Sequence, residues 1–399
     1  MPRGFPGDPL AVACYQRALD LASEGEKPEL RVQKAQAELS GGDVAAASQT
    51  LAGLAPPEEL TLRVRYLVIR GEVDWMCGDL AAAEKATQAA RTLAEENGIF
   101  GELVEAVMAQ GLVAHSRGGF LELAQADLLK PELVPALATI VHEGHLCVTE
   151  GYLSSGRPYE DVARFARELR AAGERSGARR AVAFATCLLG ETELLTGALA
   201  SAAHLLDEAA QMSLSLGAKG AAALARQRRA ETALAAGDLA GAKSSLAEAL
   251  ALARETPFGQ RHLLLRIYGT RIQAERTPTQ ALAVVDEAAV GIVGPGESCN
   301  ACLITFVVPA AIACARGGQR ARAESQLALA EQTVQFFWPK GPWQAALSEI
   351  RGELAMAAGA WEAATAHFGQ AGALYRAAGQ RLDAERCRQI AENHTISDS

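Results

Sequence analysis

The sequence contains few aromatic residues, few prolines and no long uncharged apolar run. Aromatic residues make up 5% of the 399 residues, and 15 residues are proline. The longest apolar run, from Cys302 to Ala315, contains Pro309 and is shorter than the roughly 18 residues that a transmembrane helix needs. We therefore expect no membrane-spanning segment.

Signals for secretion and for nucleic-acid binding are also missing. Residues 1–10 carry one arginine and three prolines, without the apolar core of a signal peptide. The net charge is -9, whereas proteins that bind nucleic acid over a broad surface are usually basic. The eight cysteines are scattered, which is typical of reduced thiols and not of a disulfide framework. We expect a cytoplasmic protein without direct nucleic-acid contacts.

The motifs of several common enzyme classes are absent. The sequence has no G-x-S-x-G nucleophile motif, no G-x-x-x-x-G-K-[ST] phosphate loop and no G-x-G-x-x-G motif after a strand. A conventional catalytic site is therefore not expected, and no motif requires a cofactor. The chain is better explained as a binding protein than as an enzyme.

A repeated helix–turn–helix pattern is the main feature that the sequence does have. Its composition is rich in alanine and leucine, which favours helices. Turns recur about 40 residues apart, and a period in this range indicates a helical repeat protein. The nine turns begin at Gly42, Gly78, Gly118, Gly156, Gly197, Gly237, Thr277, Gly317 and Gly359.

Two columns of small residues accompany these turns and let paired helices pack closely. Seven residues before the turn lie Ala35, Gly71, Gly111, Gly190, Ala230, Ala310 and Gly352. Five residues after it lie Ala47, Ala83, Ala202, Ala242 and Ala364. This pattern resembles the tetratricopeptide (TPR) family, although repeats four and seven lack both small residues.

The TPR resemblance implies an all-α fold, a right-handed TPR-like α-solenoid of about nine repeats. We expect an N-terminal tail and capping helix over residues 1–27. A continuous superhelix is expected over residues 28–393, and a disordered tail over residues 394–399. The sequence leaves open whether the superhelix closes on itself.

In a TPR superhelix the first helix of each repeat lines the concave surface. Six residues before the turn, five of nine repeats carry glutamate, which predicts a carboxylate stripe beside an apolar column. Such a groove would bind a protein or peptide partner, or a cationic, partly hydrophobic small molecule. The candidate residues are Glu72, Trp75, His115, Glu150, Phe184, Glu191, Glu231, Arg271 and Glu353.

Simpler interpretations of the glutamate column and of Trp75 remain open. Glutamate favours helices and pairs with arginine or lysine one turn away, so the stripe is also expected of a merely solvated face. Glu231 has Arg228 three residues earlier, whereas Glu191 has no such partner and is the preferred ligand contact. Trp75 is either a ligand platform or a packing residue between first helices.

Cysteine and histidine pairs offer candidate metal ligands. Cys299 and Cys302 form a C-x-x-C at the start of a helix, which is half of a zinc site or a redox pair. His142 and His145 share one helix face, but their spacing is not that of a zincin motif. The two pairs lie four repeats apart. Zinc across both pairs, thiol chemistry at the cysteines alone and buried structural cysteines all remain open.

An aromatic run over residues 336–343 lies at the joint between repeats eight and nine. We expect it to form a plug under the last repeat, and a partner-docking edge is the alternative.

The C-terminal third also looks like a more specific family. Residues 297–315, 343–352 and 375–387 resemble the helical-repeat arm of actinobacterial LuxR-type, MalT-like ATP-binding transcription regulators. The resemblance implies a cytoplasmic sensor arm that binds an effector or an inhibitory protein. The neighbouring nucleotide-binding and DNA-binding modules of such regulators are not found in the sequence. A regulatory scaffold is thus the first hypothesis. A small-molecule-sequestering protein and a metal- or thiol-dependent protein are the alternatives, and the oligomeric state stays open.

Overall fold

The computed structural model describes residues 9–40, 43–117, 148–256, 260–292 and 300–395, together with positions 119, 122, 123 and 126. Throughout these residues every regular element is an α-helix, so the predicted all-α fold is confirmed. None of the helices in the described part is long and apolar enough to cross a membrane. The chain splits into two compact units, Met1–His145 with Gly294–Glu297 (unit 1) and Leu146–Val293 with Ser298–Ser399 (unit 2).

Unit 1 contains the first six helices of the described chain. The first of them corresponds to the predicted capping helix and packs against the second. The helices are α1 Pro9–Leu21, α2 Lys27–Ser40, α3 Val44–Leu51, α4 Leu60–Met76, α5 Leu80–Asn97 and α6 Phe100–Ser116.

Unit 2 contains the remaining helices, arranged as antiparallel pairs that end in a single helix. They are α7 Val148–Ser154, α8 Tyr159–Ser176, α9 Arg179–Thr196, α10 Leu199–Ser215, α11 Lys219–Ala235, α12 Leu239–Arg254, α13 Gln260–Gln273, α14 Pro278–Gly291, α15 Asn300–Arg316, α16 Arg320–Phe337, α17 Pro342–Ala357, α18 Trp361–Ala377 and α19 Arg381–Thr395. The predicted single superhelix over residues 28–393 stays a prediction.

Several turns inside the helix pairs have a glycine in the left-handed region, whereas the turn of repeat seven ends at Thr277 with a φ of -122°. Gly78 has a φ of 86° and Gly237 a φ of 79°, a backbone conformation that glycine adopts without steric cost. Asp79 then caps α5, because its carboxylate accepts a hydrogen bond from the backbone N–H of Ala82 at 3.0 Å. The predicted Gly-Asp turn is therefore confirmed, and so is the turn predicted at Gly317-Gly318, in which Gly318 is the left-handed residue.

The small-residue columns mark the places where paired helices cross, as predicted. A Cβ atom on Gly71 would lie 2.5 Å from Thr87 Cγ2, and one on Gly190 would lie 2.8 Å from Leu206 Cγ. Both contacts join the first and second helices of one repeat and leave no room for a side chain. This close approach is the physical reason for a glycine in the first column.

Repeat seven lacks both small residues because its first helix packs differently. Gly269 in α13 faces α15, where an added Cβ would lie 2.0 Å from the carbonyl oxygen of Thr305. The closest crossing here is therefore between two successive first helices. In unit 2 successive first helices contact each other from α9 to α17, whereas contacts between successive second helices are weak. The first helices thus lie on the inner side of unit 2.

Unit 2 closes on itself. Its last helix, α19, contacts α9, and two side-chain hydrogen bonds join residues about 200 positions apart. Trp343 Nε1 donates to Ser154 Oγ at 2.9 Å, and Gln380 Nε2 donates to the Tyr159 hydroxyl at 2.8 Å. We call the contact of residues 153–159 and 197 with residues 341–343 and 379–382 the seam.

The aromatic run over residues 336–343 contributes to this closure. Trp338 is buried and donates to the carbonyl oxygen of Ala301 at 3.3 Å, while Trp343 reaches across the seam to Ser154. Phe336 remains exposed. The run therefore packs inside unit 2, but its contact with the first repeat of that unit did not follow from the sequence.

Candidate functional site

Several predicted site residues cannot be placed. His142, His145 and Cys299 lie outside the described residues. His115 and Glu150 lie in helices α6 and α7, but their side chains fall outside the described part. The remaining candidates lie in the described parts of the two units. Unit 1 contains Glu72 and Trp75, and unit 2 contains Phe184, Glu191, Glu231, Arg271 and Glu353.

Glu191 on α9 is buried and paired with arginine. Its side chain is 1% exposed, and Arg228 Nε on α11 donates to Glu191 Oε1 at 2.7 Å. Glu191 thus has no partner one turn away on its own helix, as the sequence shows, but its ion partner lies on the next first helix. Burial of an ion pair requires good geometry and additional hydrogen bonds, so this contact holds two repeats together.

Glu231 on α11 receives hydrogen bonds from three side chains. Arg228 Nη1 donates to its carboxylate at 2.8 Å, which confirms the predicted pairing within the helix. Gln227 Nε2 and the Thr270 hydroxyl donate to Glu231 Oε1 at 2.7 and 3.2 Å. Arg228 thus lies between Glu191 and Glu231, and one network joins α9, α11 and α13.

The last repeats carry two more arginine–glutamate pairs. Arg316 on α15 donates through Nε and Nη2 to the buried Glu353 on α17, at 3.0 and 2.5 Å. Arg386 on α19 binds the buried Glu349 on α17, which also accepts a hydrogen bond from the Tyr375 hydroxyl at 3.0 Å. Both pairs are bidentate, which is the strongest geometry for this type of contact.

Asp383 on α19 connects these pairs to the network on α11. It accepts a hydrogen bond from Arg386 at 2.8 Å. Burial raises the pKa of Asp383, the Arg386 guanidinium opposes this rise, and the charges of Glu349 and Glu231 add to it. Leu382, the residue before Asp383, lies against Gly197 at the end of α9, and Glu191 on that helix is joined to Glu231 through Arg228. Asp383 and Glu231 therefore lie in one region of unit 2.

Two residues of this region are partly exposed. Asp383 and Arg386 keep 36% and 43% of their side-chain surface exposed, although Arg386 binds the buried Glu349. They are therefore accessible to solvent and to a ligand. We call the following residues the charged cluster: Glu191, Arg228, Glu231, Arg316, Glu349, Glu353, Asp383 and Arg386.

The other concave-face candidates make structural contacts. Trp75 Nε1 donates to Ser116 Oγ on the next first helix at 2.7 Å, and Phe184 is buried. Arg271 binds Glu287 on the second helix of its own repeat, at 2.7 and 2.8 Å. Glu72 is half-buried. The continuity of the predicted carboxylate stripe stays a prediction.

The thiol candidates are only partly covered by the structure. Cys302 is buried, and Arg266 Nη2 lies 3.9 Å from its sulfur. Among the described residues, no group of three or more histidine, cysteine or acidic residues is arranged to hold a metal ion. Four of the six described cysteines are buried, and all six are free thiols.

Sequence reasoning missed Arg316, Glu349, Asp383 and Arg386. A signal for three of them is present in the sequence, because the ion pairs between first helices join opposite charges 37 positions apart. Arg65 and Glu102 in unit 1 show the same separation. A search for opposite charges one repeat apart would have found these pairs, whereas Asp383 required the closure of unit 2.

No protein-family model matches the chain, and no curated protein matches it in sequence. Solved structures that are similar include the APC/C hetero-tetramer Cut9–Hcn1, with 14% identity over 97% of this chain and 84% of that one and a TM-score of 0.38. A Rap protein complexed with competence and sporulation factor has 9% identity, 97% coverage of both chains and a TM-score of 0.40. Yeast Tom70 has 12% identity, covers 97% and 85%, and has a TM-score of 0.36. TM-scores below 0.5 transfer no property of those proteins to this chain.

Proposed function

We propose that this chain is a TPR-like binding scaffold, a sensor or adaptor in transcription-related signalling in the cytoplasm. Its partner is a protein segment or effector that binds at the charged cluster of unit 2. The observation that supports this proposal most directly is the partial exposure of Asp383 and Arg386 beside the buried Glu349. A rigid array of hydrogen-bonding side chains on helices is a suitable surface for a specific ligand.

The charge of the cluster favours a cationic ligand. It contains five carboxylates and three guanidinium groups, which gives 3 − 5 = −2 when all are ionised. The buried carboxylates are neutralised by arginines, while Glu231 and Asp383 keep 24% and 36% of their side chains exposed. A basic, partly apolar peptide would complement these two exposed carboxylates. Nucleic acid, which is polyanionic, would not.

A comparison of variants in a native extract tests this proposal. The full chain and the Glu231→Gln/Asp383→Asn variant are each used to capture partners, and Glu324→Gln serves as the control. Glu324 is half-exposed and pairs only along its own helix with Arg320. We expect the cluster variant to lose a protein that the wild type and the control both retain. Equal retention by all three proteins would exclude the cluster as the binding site.

A small-molecule effector at the charged cluster is a second proposal. The protonated amine of such a compound would bind the same two carboxylates. Native mass spectrometry of the purified full chain would detect it as added mass, and loss of that mass in the Glu231→Gln/Asp383→Asn variant would support it. A spectrum without added mass in the presence of candidate metabolites would reject it.

Thiol or metal chemistry at Cys299 and Cys302 is the third proposal. The observation that favours it is the Arg266 guanidinium 3.9 Å from the Cys302 sulfur, since a nearby cation stabilises a thiolate. Metal analysis of the purified protein tests it. Stoichiometric zinc or iron that is lost in Cys299→Ser would support it, and a metal-free wild type would reject the metal-dependent form.

A further inference from the structure

The seam joins the first two repeats of unit 2 to its last helices. The two sides are linked through the chain only by way of all the repeats between them. The hydrogen bonds from Trp343 to Ser154 and from Gln380 to Tyr159 hold the sides together. Water replaces side-chain hydrogen bonds of this kind at a modest net loss.

We propose that unit 2 opens and closes at this seam, and that the opening admits a partner segment to the charged cluster. The gating role rests on the proposed binding function, whereas the opening itself does not. It is a property of the contacts at the seam and is tested separately below.

Glycine lets the backbones approach closely at the seam. A Cβ atom on Gly341 would lie 2.3 Å from the carbonyl oxygen of Ser154, and one on Gly379 would lie 3.1 Å from the Tyr159 ring. Across the other part of the seam, Gly197 faces Leu382, whose side chain is 39% exposed. Trp343 and Tyr159 are large side chains that pack in the seam, but α19 contacts α9 much less extensively than neighbouring helices of unit 2 contact each other. The apolar stabilisation is therefore smaller at the seam than between neighbouring repeats.

Partly exposed carboxylates lie beside the contact of α19 with α9. Asp383 on α19 accepts a hydrogen bond from Arg386 and keeps 36% of its side chain exposed. Glu231 on α11, which Arg228 joins to Glu191 on α9, keeps 24% exposed. A positively charged side chain of a partner segment would bind these two carboxylates. The seam is therefore suited to admit a cationic segment.

Opening would uncover the innermost helix of the site. Residues 181–192 of α9 are all buried in the closed unit, and α9 is the helix that α19 contacts. Glu191 lies in this stretch. A partner that contacts this face must reach it when α19 has moved away from α9.

Hydrogen exchange on the full chain, read out by mass spectrometry, tests the opening. Gly379→Asn places a side chain against Tyr159, and Gly359→Asn is the matched control. Both glycines have a left-handed φ, 84° and 71°, but Gly359 has open space around its Cβ position. We expect Gly379→Asn to raise exchange about tenfold in residues 380–390 and also in residues 153–165. The control should raise exchange only near residue 359.

The two sides of the seam must respond together for the inference to hold. Unchanged exchange in residues 153–165 of the Gly379→Asn variant, or an equal rise throughout unit 2, would overturn the opening. A second variant, Tyr159→Phe, removes the hydroxyl that accepts from Gln380 without adding bulk, and it should raise exchange at the same two segments.

The gating role is tested by the association rate of a synthetic peptide of alternating lysine and leucine. The Gly379→Asn variant should bind this peptide faster than the Gly359→Asn control does. Equal rates in both variants would overturn the gating role even if exchange reports opening. A peptide that binds neither protein would reject the proposed binding site, and the exchange result would still decide whether the seam opens.

Discussion

Removal of Arg228 should strongly destabilise unit 2, because it leaves the Glu191 carboxylate buried without its guanidinium partner. The Glu191 side chain is 1% exposed and that of Arg228 is 11% exposed, with 2.7 Å between Nε and Oε1. Breaking a buried pair by removing one partner costs about 3–5 kcal/mol. We expect Arg228→Met to cost an amount in this range. Loss of the contact between Arg228 and Glu231 contributes less to this cost, since Glu231 keeps its hydrogen bonds from Gln227 and Thr270.

The double variant Glu191→Gln/Arg228→Met separates the pair energy from the loss of packing. It removes both charges, so it should be less destabilised than the sum of the two single variants by at least about 1 kcal/mol. Urea unfolding of the full chain, followed by tryptophan fluorescence and circular dichroism, gives the free energies. Hydrogen exchange of residues 186–196 shows whether the loss is local to α9.

An exposed pair serves as the control for Arg228. Arg320 and Glu324 are 70% and 50% exposed on one helix, and such pairs contribute less than about 0.5 kcal/mol. If Arg228→Met costs no more than Arg320→Met, or if the two single losses simply add in the double variant, the structural role of the buried pair is refuted.

Three further predictions concern α17 and α18. Gly352→Val should destabilise by about 1–3 kcal/mol, because an added Cβ would lie 3.0 Å from the Phe368 ring. Gly369→Ala, with open space around it, should stabilise by about 0.5–1 kcal/mol, and thermal unfolding measures both. Burial alone would raise the pKa of Glu349, but Arg386 holds it below its usual value. The stability that Glu349 contributes is therefore present above about pH 4.5 and is lost as the pH falls through its lowered pKa. Urea unfolding between pH 7 and pH 3 should show a flatter acid slope for Glu349→Gln.

Two results would contradict these predictions. If Gly352→Val were as stable as Gly369→Ala, the crossing of α17 and α18 would not depend on the missing side chain. If the decrease in unfolding free energy towards acid pH is the same in Glu349→Gln as in the wild type, Arg386 does not stabilise the ionised form of Glu349 in the native state.

The local fold was predictable because it depends on residues close in sequence. Gly78 ends a helix and Asp79 caps the next one, and both roles follow from their own backbone and side-chain chemistry. Gly71 and Gly190 were predictable as crossing points because a repeat period aligns them with each other. Repeat seven departed from the pattern since Gly269 packs against a different helix, which no residue inside that repeat reveals.

The candidate site was less predictable because it depends on contacts between repeats. Glu191 seemed free of ion pairs only because Arg228 lies 37 residues away on the next first helix. The seam joins residues such as Ser154 and Trp343, which are 189 positions apart. Hydrophobic periodicity places a residue on a face of its helix, but it does not show which distant helix covers that face.

The central claim is that the charged cluster of unit 2 binds a cationic partner segment. The most direct test is the dissociation constant of the lysine–leucine peptide for the full chain, measured by calorimetry. We predict that the peptide binds the wild type and the Glu324→Gln control equally. It should bind Glu231→Gln/Asp383→Asn about tenfold or more weakly, since each opposed charge pair contributes at least ~1.5 kcal/mol. Equal affinity for all three proteins, or no binding to the wild type, would contradict the claim.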